Sequence, residues 1–142
     1  MNILLTSHGS LCCGLNDAFH MFASTATHVH HVSLTDSGID DFRERLTAKL
    51  SELLAAGDVL IMADLQGGTP YNESFALLLN NPGHVRLVAG ANLPMLIEVG
   101  VLTMSSDNLQ QAYEAALAAG AAGVVGAEPP AADADDGDDD LF

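Results

Sequence analysis

The amino-acid sequence predicts a doubly wound α/β fold, in which helices cover both faces of a mostly parallel sheet. Short apolar runs typical of buried strands alternate along the chain with segments whose apolar residues recur at helical spacing. The chain has 142 residues, of which 49% are hydrophobic, and this is enough for one domain with its own core. Since crossovers between parallel strands are right-handed, only a few strand orders are compatible with this alternation.

The predicted elements follow one another without a repeat. Strands are predicted over residues 2–7, 27–34, 58–63 and 84–89, with a short fifth strand over 121–125. Helices are predicted over residues 11–22, 38–56, 70–80, 93–102 and 107–119. Ser10 is a suitable N-cap for the first helix, and Thr69 for the third, which has Pro70 at its first position.

Acidic charge is concentrated at the end of the chain. The net charge is −15, and seven acidic residues with no basic residue follow Gly126. Twelve acidic and four basic residues remain before that point, a net charge of −8. We therefore predict one domain over residues 1–125 and an acidic, disordered tail over 126–142. So few basic residues argue against nucleic-acid binding and against an anionic membrane surface.

The cysteines and the first residues indicate the compartment. Cys12 and Cys13 are neighbours and form neither a disulfide framework nor a CxxC motif, so a reducing compartment is expected. The chain begins with a strand-like run rather than a basic leader, and it has no long apolar segment. The sequence predicts a cytoplasmic protein without membrane insertion.

Two residues with chemical potential follow predicted strands. His8 comes after the first strand and Asp64 after the third. In the flavodoxin-like order 2-1-3-4 these strands are neighbours, and ligands bind at their carboxyl ends. Gly9, Gly67 and Gly68 follow the two residues, and small residues allow a phosphate to approach the backbone. Each loop also opens a helix, whose free N–H groups favour an anion.

These parts suggest a phosphoryl acceptor. One ring nitrogen of His8 would attack phosphorus, while Asp64 accepts a hydrogen bond from the other nitrogen and fixes the tautomer. Helix N-terminal amides and the Thr69 hydroxyl would hold the phosphoryl group. No P-loop or GxGxxG motif is present, so no nucleotide cofactor is expected. The structural alternative is that His8 is a surface residue and Asp64 a helix cap.

A group of histidines in the second predicted strand resembles a metal site at first sight. His28, His30 and His31 lie close in the sequence, and His28 and His30 are expected to share a face of the strand, but no nearby cysteine or third ligand is expected to complete a site. Cys12 and Cys13 are expected to fill space in the core, although a helix start can stabilise a thiolate. The sequence therefore predicts no bound metal.

Three motifs resemble the mannose-type IIA components of sugar phosphotransferase systems. Residues 6–9 read Thr-Ser-His-Gly and resemble the motif that carries the phosphorylated histidine. Residues 63–72 read Ala-Asp-Leu-Gln-Gly-Gly-Thr-Pro-Tyr-Asn and resemble the second motif. Residues 89–96 read Ala-Gly-Ala-Asn-Leu-Pro-Met-Leu and resemble the third. The motifs occur in the family's order, and the resemblance covers roughly residues 1–125.

The resemblance implies a fold, an activity and partners. The fold is a flavodoxin-like three-layer sandwich of order 2-1-3-4, with a short antiparallel fifth strand exchanged within a homodimer. His8 would take a phosphoryl group from the carrier HPr and pass it to a IIB component for sugar uptake, while Asp64 orients His8. Gln66 occupies a position that is tryptophan in some members, so a stacking role is not expected there. A free-standing subunit is expected.

Two other functions share these features. The phosphotransfer subunit of dihydroxyacetone kinase has the same fold and a strand-end histidine, although its loops read Ser-His-Ser and Met-Gly-Ser. A regulatory binding module would use phosphorylated His8 only as a signal. Transfer of the phosphoryl group to a IIB partner distinguishes a carrier from a module that only signals.

Overall fold

The computed structural model describes residues 1–132, which form four strands and five helices. The strands are β1 (Asn2–His8), β2 (Val29–Leu34), β3 (Val59–Ala63) and β4 (Val85–Val88). The helices are α1 (Leu11–His20), α2 (Ile39–Leu54), α3 (Thr69–Asn80), α4 (Leu93–Leu102) and α5 (Leu109–Ala122). These elements correspond to the predicted ones apart from the fifth strand, and most bounds agree within two or three residues.

The four strands form one parallel sheet in the order β2-β1-β3-β4. This confirms the predicted doubly wound arrangement. β1 is central, and its register pairs Leu5 with His31 on β2 and with Met62 on β3. Residues 3–7 of β1 are buried, whereas His8 at its carboxyl end is exposed. The sheet order therefore places the end of β1 beside the end of β3.

Helices cover both faces of the sheet and complete a three-layer sandwich. Ile3 and Leu5 of β1 face the layer of α1, α4 and α5, whereas Leu4 faces α2 and α3. The larger core includes these helical residues: Phe19, Met95, Leu96, Val99, Ala112 and Ala116. The second core contains four residues of α2: Phe42, Leu46, Leu50 and Leu53. This alternation along β1 is the period of two expected of a strand covered on both faces.

The predicted fifth strand is not seen in the described part of this single chain. Residues 121–122 complete α5, and residues 123–125 belong to neither a helix nor a strand. Alanine has the highest helix propensity, so the alanine-rich run propagates α5 as far as Gly123. Val124 and Val125 beyond it are each 82% exposed. A strand needs a hydrogen-bonded neighbour, and within residues 1–132 these two residues pair with no strand.

Two predicted helix caps are also corrected. Gly68, not Thr69, is the N-cap of α3, so Thr69 is its first residue and Pro70 its second. Ser10 occupies the N-cap position of α1, but its side chain makes no capping hydrogen bond. Both helices therefore begin with backbone N–H groups that these side chains leave free.

The end of the described chain bears on two further expectations. Residues 126–132 contain neither helix nor strand, and the rest of the predicted acidic tail lies outside the described residues. Across residues 1–132 we find no helix with the length and apolar character needed to cross a bilayer.

Candidate functional site

His8 and Asp64 meet at the carboxyl edge of the sheet. Nδ1 of the imidazole lies 2.8 Å from Oδ2 of Asp64, and the backbone N–H of His8 donates to the same oxygen at 2.9 Å. The two residues come together because Thr6 and Ala63 are paired in the register, so that His8, two positions after Thr6, and Asp64, one position after Ala63, lie at the same edge. The backbone N–H of Asp64 continues this pairing by donating to the Thr6 carbonyl at 3.2 Å.

The contact determines the state of the ring. An ionised carboxylate only accepts hydrogen bonds, so Nδ1 of His8 carries a proton and donates a hydrogen bond to Asp64. In a neutral imidazole the other nitrogen, Nε2, then has a free lone pair. The side chain of His8 is 48% exposed and that of Asp64 only 10%. The pair therefore presents a nucleophilic nitrogen at the surface and holds it from beneath with a largely buried carboxylate.

The hydrogen bonds of Asp64 are directed almost entirely at His8. Its second oxygen, Oδ1, is buried and has no hydrogen-bond partner within residues 1–132. A buried carboxylate with one unpaired oxygen is stabilised most by a hydrogen-bond partner that becomes positively charged. Asp64 is therefore placed to stabilise an imidazolium as well as to orient the neutral ring.

The loop before α3 packs against the imidazole. A Cβ atom on Gly68 would lie 2.7 Å from Cε1 of His8 and 3.4 Å from its Nε2. No side chain fits there without moving the ring. Gly67 has a φ of 81° and Gly9 a φ of 56°, which is left-handed backbone that favours glycine. The glycines expected to allow phosphate binding therefore also shape the surroundings of His8.

The start of α3 supplies potential anion donors beside Nε2. The first N–H groups of a helix have no intrahelical partner, and α3 begins at Thr69, directly after Gly68. The Asn72 side-chain amide donates to the Gly67 carbonyl at 3.1 Å and steadies the loop. The side chain of Thr69 is partly buried at the same helix start. This arrangement suits a phosphoryl group attached to the ring.

Ser7 stabilises the turn between His8 and α1, a role that was not predicted from the sequence. Its buried hydroxyl accepts a hydrogen bond from the Cys12 N–H at 2.8 Å and donates one to the Gly9 carbonyl at 3.0 Å. The Gly9 N–H in turn donates to the Leu34 carbonyl at 2.8 Å. Ser7 thus caps α1 in place of Ser10 and ties down the turn after His8. The available signal was a serine directly before His8, at the end of the buried part of β1.

An open pocket of about 490 Å³ lies beside the imidazole. The loop after β1 and the end of β2 line it: His8, Gly9, Ser10, Ser33, Leu34, Thr35 and Asp36. It opens to solvent, so a large partner molecule could approach the ring from this side.

His28, directly before β2, and His30 and His31 within it do not form a group of three ligands. His28 bonds through Nε2 to the Gly100 carbonyl at 3.0 Å, and His30 bonds to Asn2 at 3.2 Å. The expectation that no cysteine lies nearby is wrong, because Cys13 Sγ is 3.4 Å from Nδ1 of His31. Cys12 fills core space as expected, and burial raises the pKa of its thiol.

Residues 2–117 match a family model described as EIIA-man, PTS system fructose IIA component. Among curated proteins, the chain is 31% identical over 102 residues to the sorbose-specific EIIA component of the phosphotransferase system of Lacticaseibacillus casei. That match covers 71% of this chain and 72% of the relative. The fructose-specific EIIA component of Bacillus subtilis is 26% identical over 100 residues, covering 70% of this chain and 68% of the relative.

Solved structures agree with the sequence comparisons. The mannose/sorbose-specific IIA subunit of Enterococcus faecalis superposes with a TM-score of 0.80 at 28% identity, covering 92% of this chain and 96% of that one. A IIA protein associated with the fucose utilisation operon of Streptococcus pneumoniae has a TM-score of 0.70 at 31% identity, covering 82% and 88%.

Proposed function

Since the chain belongs to the mannose family of EIIA components, which are phosphotransferase components in sugar transport, we propose that His8 is its phosphoryl carrier. In this proposal His8 accepts the group from phospho-HPr and passes it to a IIB component, in the cytoplasm. The observation that supports the proposal is the 2.8 Å contact between His8 Nδ1 and Asp64, which leaves Nε2 free.

The proposed step is an in-line displacement at phosphorus. The Nε2 lone pair of His8 forms a bond to phosphorus, while the bond between phosphorus and the donor breaks and its electrons leave with the donor. The ring becomes positively charged because Nδ1 keeps its proton. Asp64 then stabilises this charge through the existing hydrogen bond. Transfer to a IIB component is the same displacement in the opposite sense.

The surroundings of the ring fit the product as well as the reactant. In this proposal the free amides at the start of α3 and the Thr69 hydroxyl hold the phosphoryl group, which is supported by the close approach of Gly68, directly before α3, to the imidazole. Phosphoryl transfer depends mainly on positioning and on charge stabilisation, so a small open site of this kind suffices. The group arrives on a protein and leaves on a protein, so the proposed reaction uses no cofactor.

Onward transfer tests the proposal against its alternatives. The protein is phosphorylated with labelled phosphoenolpyruvate, enzyme I and HPr. It is then purified and mixed with a mannose-family IIB component. We expect the label to leave this chain and to appear on IIB. A protein that takes up label from HPr but keeps it when IIB is present would instead be a regulatory module or the phosphotransfer subunit of a dihydroxyacetone kinase, and the carrier proposal would be wrong. The IIB component must first be shown to accept label from another IIA.

The geometry around Gly68 gives a sharper expectation about the site. We expect Gly68→Ala to slow phosphoryl uptake about 100-fold, because the added methyl group displaces the imidazole by roughly 1 Å. The rate of label uptake from phospho-HPr measures the effect. Gly14→Ala is the control, because a Cβ there meets no atom within 4 Å, and its rate should match the wild type. Equal rates for both variants would show that the ring tolerates the displacement.

We also propose that two chains associate through the segment after α5. Val124 and Val125 are exposed and have no strand partner within the described chain, so a second copy could cover them. Light scattering on the purified protein should give the mass of two chains. A single-chain mass at micromolar concentration would contradict this part of the proposal.

A further inference from the structure

Three potential metal ligands lie together where α1 packs against β2. Cys12 and Cys13 are the second and third residues of α1, and His31 lies on the face of β2 that α1 covers. Cys12 is buried, Cys13 is partly buried and His31 is exposed, so the cluster runs from the core to the surface. It includes neither His8 nor Asp64.

We propose that Cys12 Sγ, Cys13 Sγ and His31 Nδ1 form a binding site for one soft d¹⁰ metal ion such as Zn²⁺. The three atoms lie within 4.8 Å of one another, and Cys13 Sγ is already 3.4 Å from His31 Nδ1. A tetrahedral zinc ion with Zn–S bonds of about 2.3 Å and Zn–N bonds of about 2.0 Å separates its sulfur ligands by about 3.8 Å and sulfur from nitrogen by about 3.5 Å. Since no two of these atoms are more than 4.8 Å apart, the required adjustments are no larger than about 1.3 Å.

The ligand types select this class of metal. Thiolates and imidazole suit Zn²⁺ and Cu⁺, whereas Mg²⁺ and Ca²⁺ prefer oxygen ligands. On binding, each thiol releases its proton to solvent as its sulfur bonds to the metal, so two thiolates balance the charge of Zn²⁺. Because His31 is exposed, a water molecule can complete the fourth position.

A disulfide is a poor alternative for the two sulfur atoms. Neighbouring Cα atoms are about 3.8 Å apart, closer than the 4.4–6.8 Å usual for disulfide-bonded residues. Both cysteines are free thiols within a regular helix. The pair therefore remains available as two ligands on one side of α1.

A metal titration of the full-length, reduced protein tests the site. We expect one Zn²⁺ per chain, measured by competition with a chromophoric chelator, and a sulfur-to-cadmium absorption band that saturates at one Cd²⁺ per chain. Cys13→Ser and His31→Ala should each weaken Zn²⁺ binding by at least about tenfold. Neither residue is fully buried, so both variants should fold, which circular dichroism can verify.

The control variant changes the neighbouring histidine. His30 is next to His31 but bonds to Asn2 rather than to the cluster, so His30→Ala should bind Zn²⁺ like the wild type. The acidic residues after Gly126 could bind Zn²⁺ through oxygen, but they would produce no sulfur-to-metal band. Absence of that band, or Zn²⁺ binding unchanged in Cys13→Ser and His31→Ala, would overturn the proposal. Neither readout involves phosphoryl transfer, so the result is independent of the proposed function.

Discussion

We expect His8→Ala to take up no phosphoryl group from phospho-HPr, because the variant lacks the nitrogen that would bond to phosphorus. The loss should be complete, since no other histidine occupies the end of a central strand beside a largely buried carboxylate in the described chain. Label incorporation from phosphoenolpyruvate, with enzyme I and HPr present, measures the effect. The fold should persist, because the His8 side chain is about half exposed.

The chain offers a closely matched control for this variant. His84 Nδ1 lies 2.8 Å from Asp58, the same separation as in the His8–Asp64 pair, but these residues precede β4 and β3 at the opposite edge of the sheet. We expect His84→Ala to take up label like the wild type. If His8→Ala incorporated a full equivalent of label, the phosphoryl acceptor would have to be sought elsewhere.

The second large effect concerns Asp64. We expect Asp64→Asn to lower the rate of phosphoryl uptake by about 10- to 100-fold and Asp64→Ala by about 10²- to 10⁴-fold. The backbone N–H of His8 points at the position of Oδ2, so an asparagine should place its carbonyl oxygen there. That oxygen would still accept from Nδ1 and keep the tautomer. The asparagine variant therefore loses the charge, whereas the alanine variant loses both charge and orientation.

Single-turnover kinetics with phospho-HPr separate these contributions. Asp58→Asn is the control, because it removes the carboxylate of the other histidine–aspartate pair and should not change the rate. A rate for Asp64→Ala within a factor of two of the wild type would show that His8 needs no carboxylate. Equal rates for the two Asp64 variants would show that orientation contributes little beyond the charge.

The meeting of His8 and Asp64 could be predicted from the sequence because topology determines it. In a parallel sheet all carboxyl ends lie on one edge, so two polar residues that end neighbouring strands must be close. Only the strand order had to be correct, and the buried, apolar runs before His8 and Asp64 made both strands recognisable. The distances, and the fact that Nδ1 is the donor, could be obtained only from the three-dimensional structure.

The cap of α1 could not be predicted, since it depends on how the chain turns. Ser10 has the expected spacing, but the left-handed turn at Gly9 brings the start of α1 back over Ser7. Helix-capping preferences describe the residues that directly flank a helix, whereas this hydrogen bond joins Cys12 to Ser7, five positions earlier in the chain. The predicted start of the fifth strand at residue 121 was wrong for a related reason, because the alanine-rich helix extends to Ala122, further than its apolar pattern indicated.

The contact between Cys13 and His31 was missed because it depends on the packing of α1 against β2. Strand periodicity correctly separates His30 from His31, which point to opposite faces. It does not reveal which helix covers each face or which side of that helix is turned towards the sheet. Cys13 and His31 are 18 positions apart, and their 3.4 Å contact results from the tertiary structure alone.

The nitrogen that carries the phosphoryl group is the most direct test of the proposed mechanism. The protein is labelled with ¹⁵N-histidine and phosphorylated by phospho-HPr. The ¹⁵N–³¹P coupling is then recorded by NMR. Because Nδ1 of His8 donates to Asp64, the coupling should be to Nε2 of His8. A phosphoryl group on Nδ1 of His8 or on another histidine would contradict the mechanism. So would the absence of any phosphohistidine in this protein when HPr is shown to be phosphorylated.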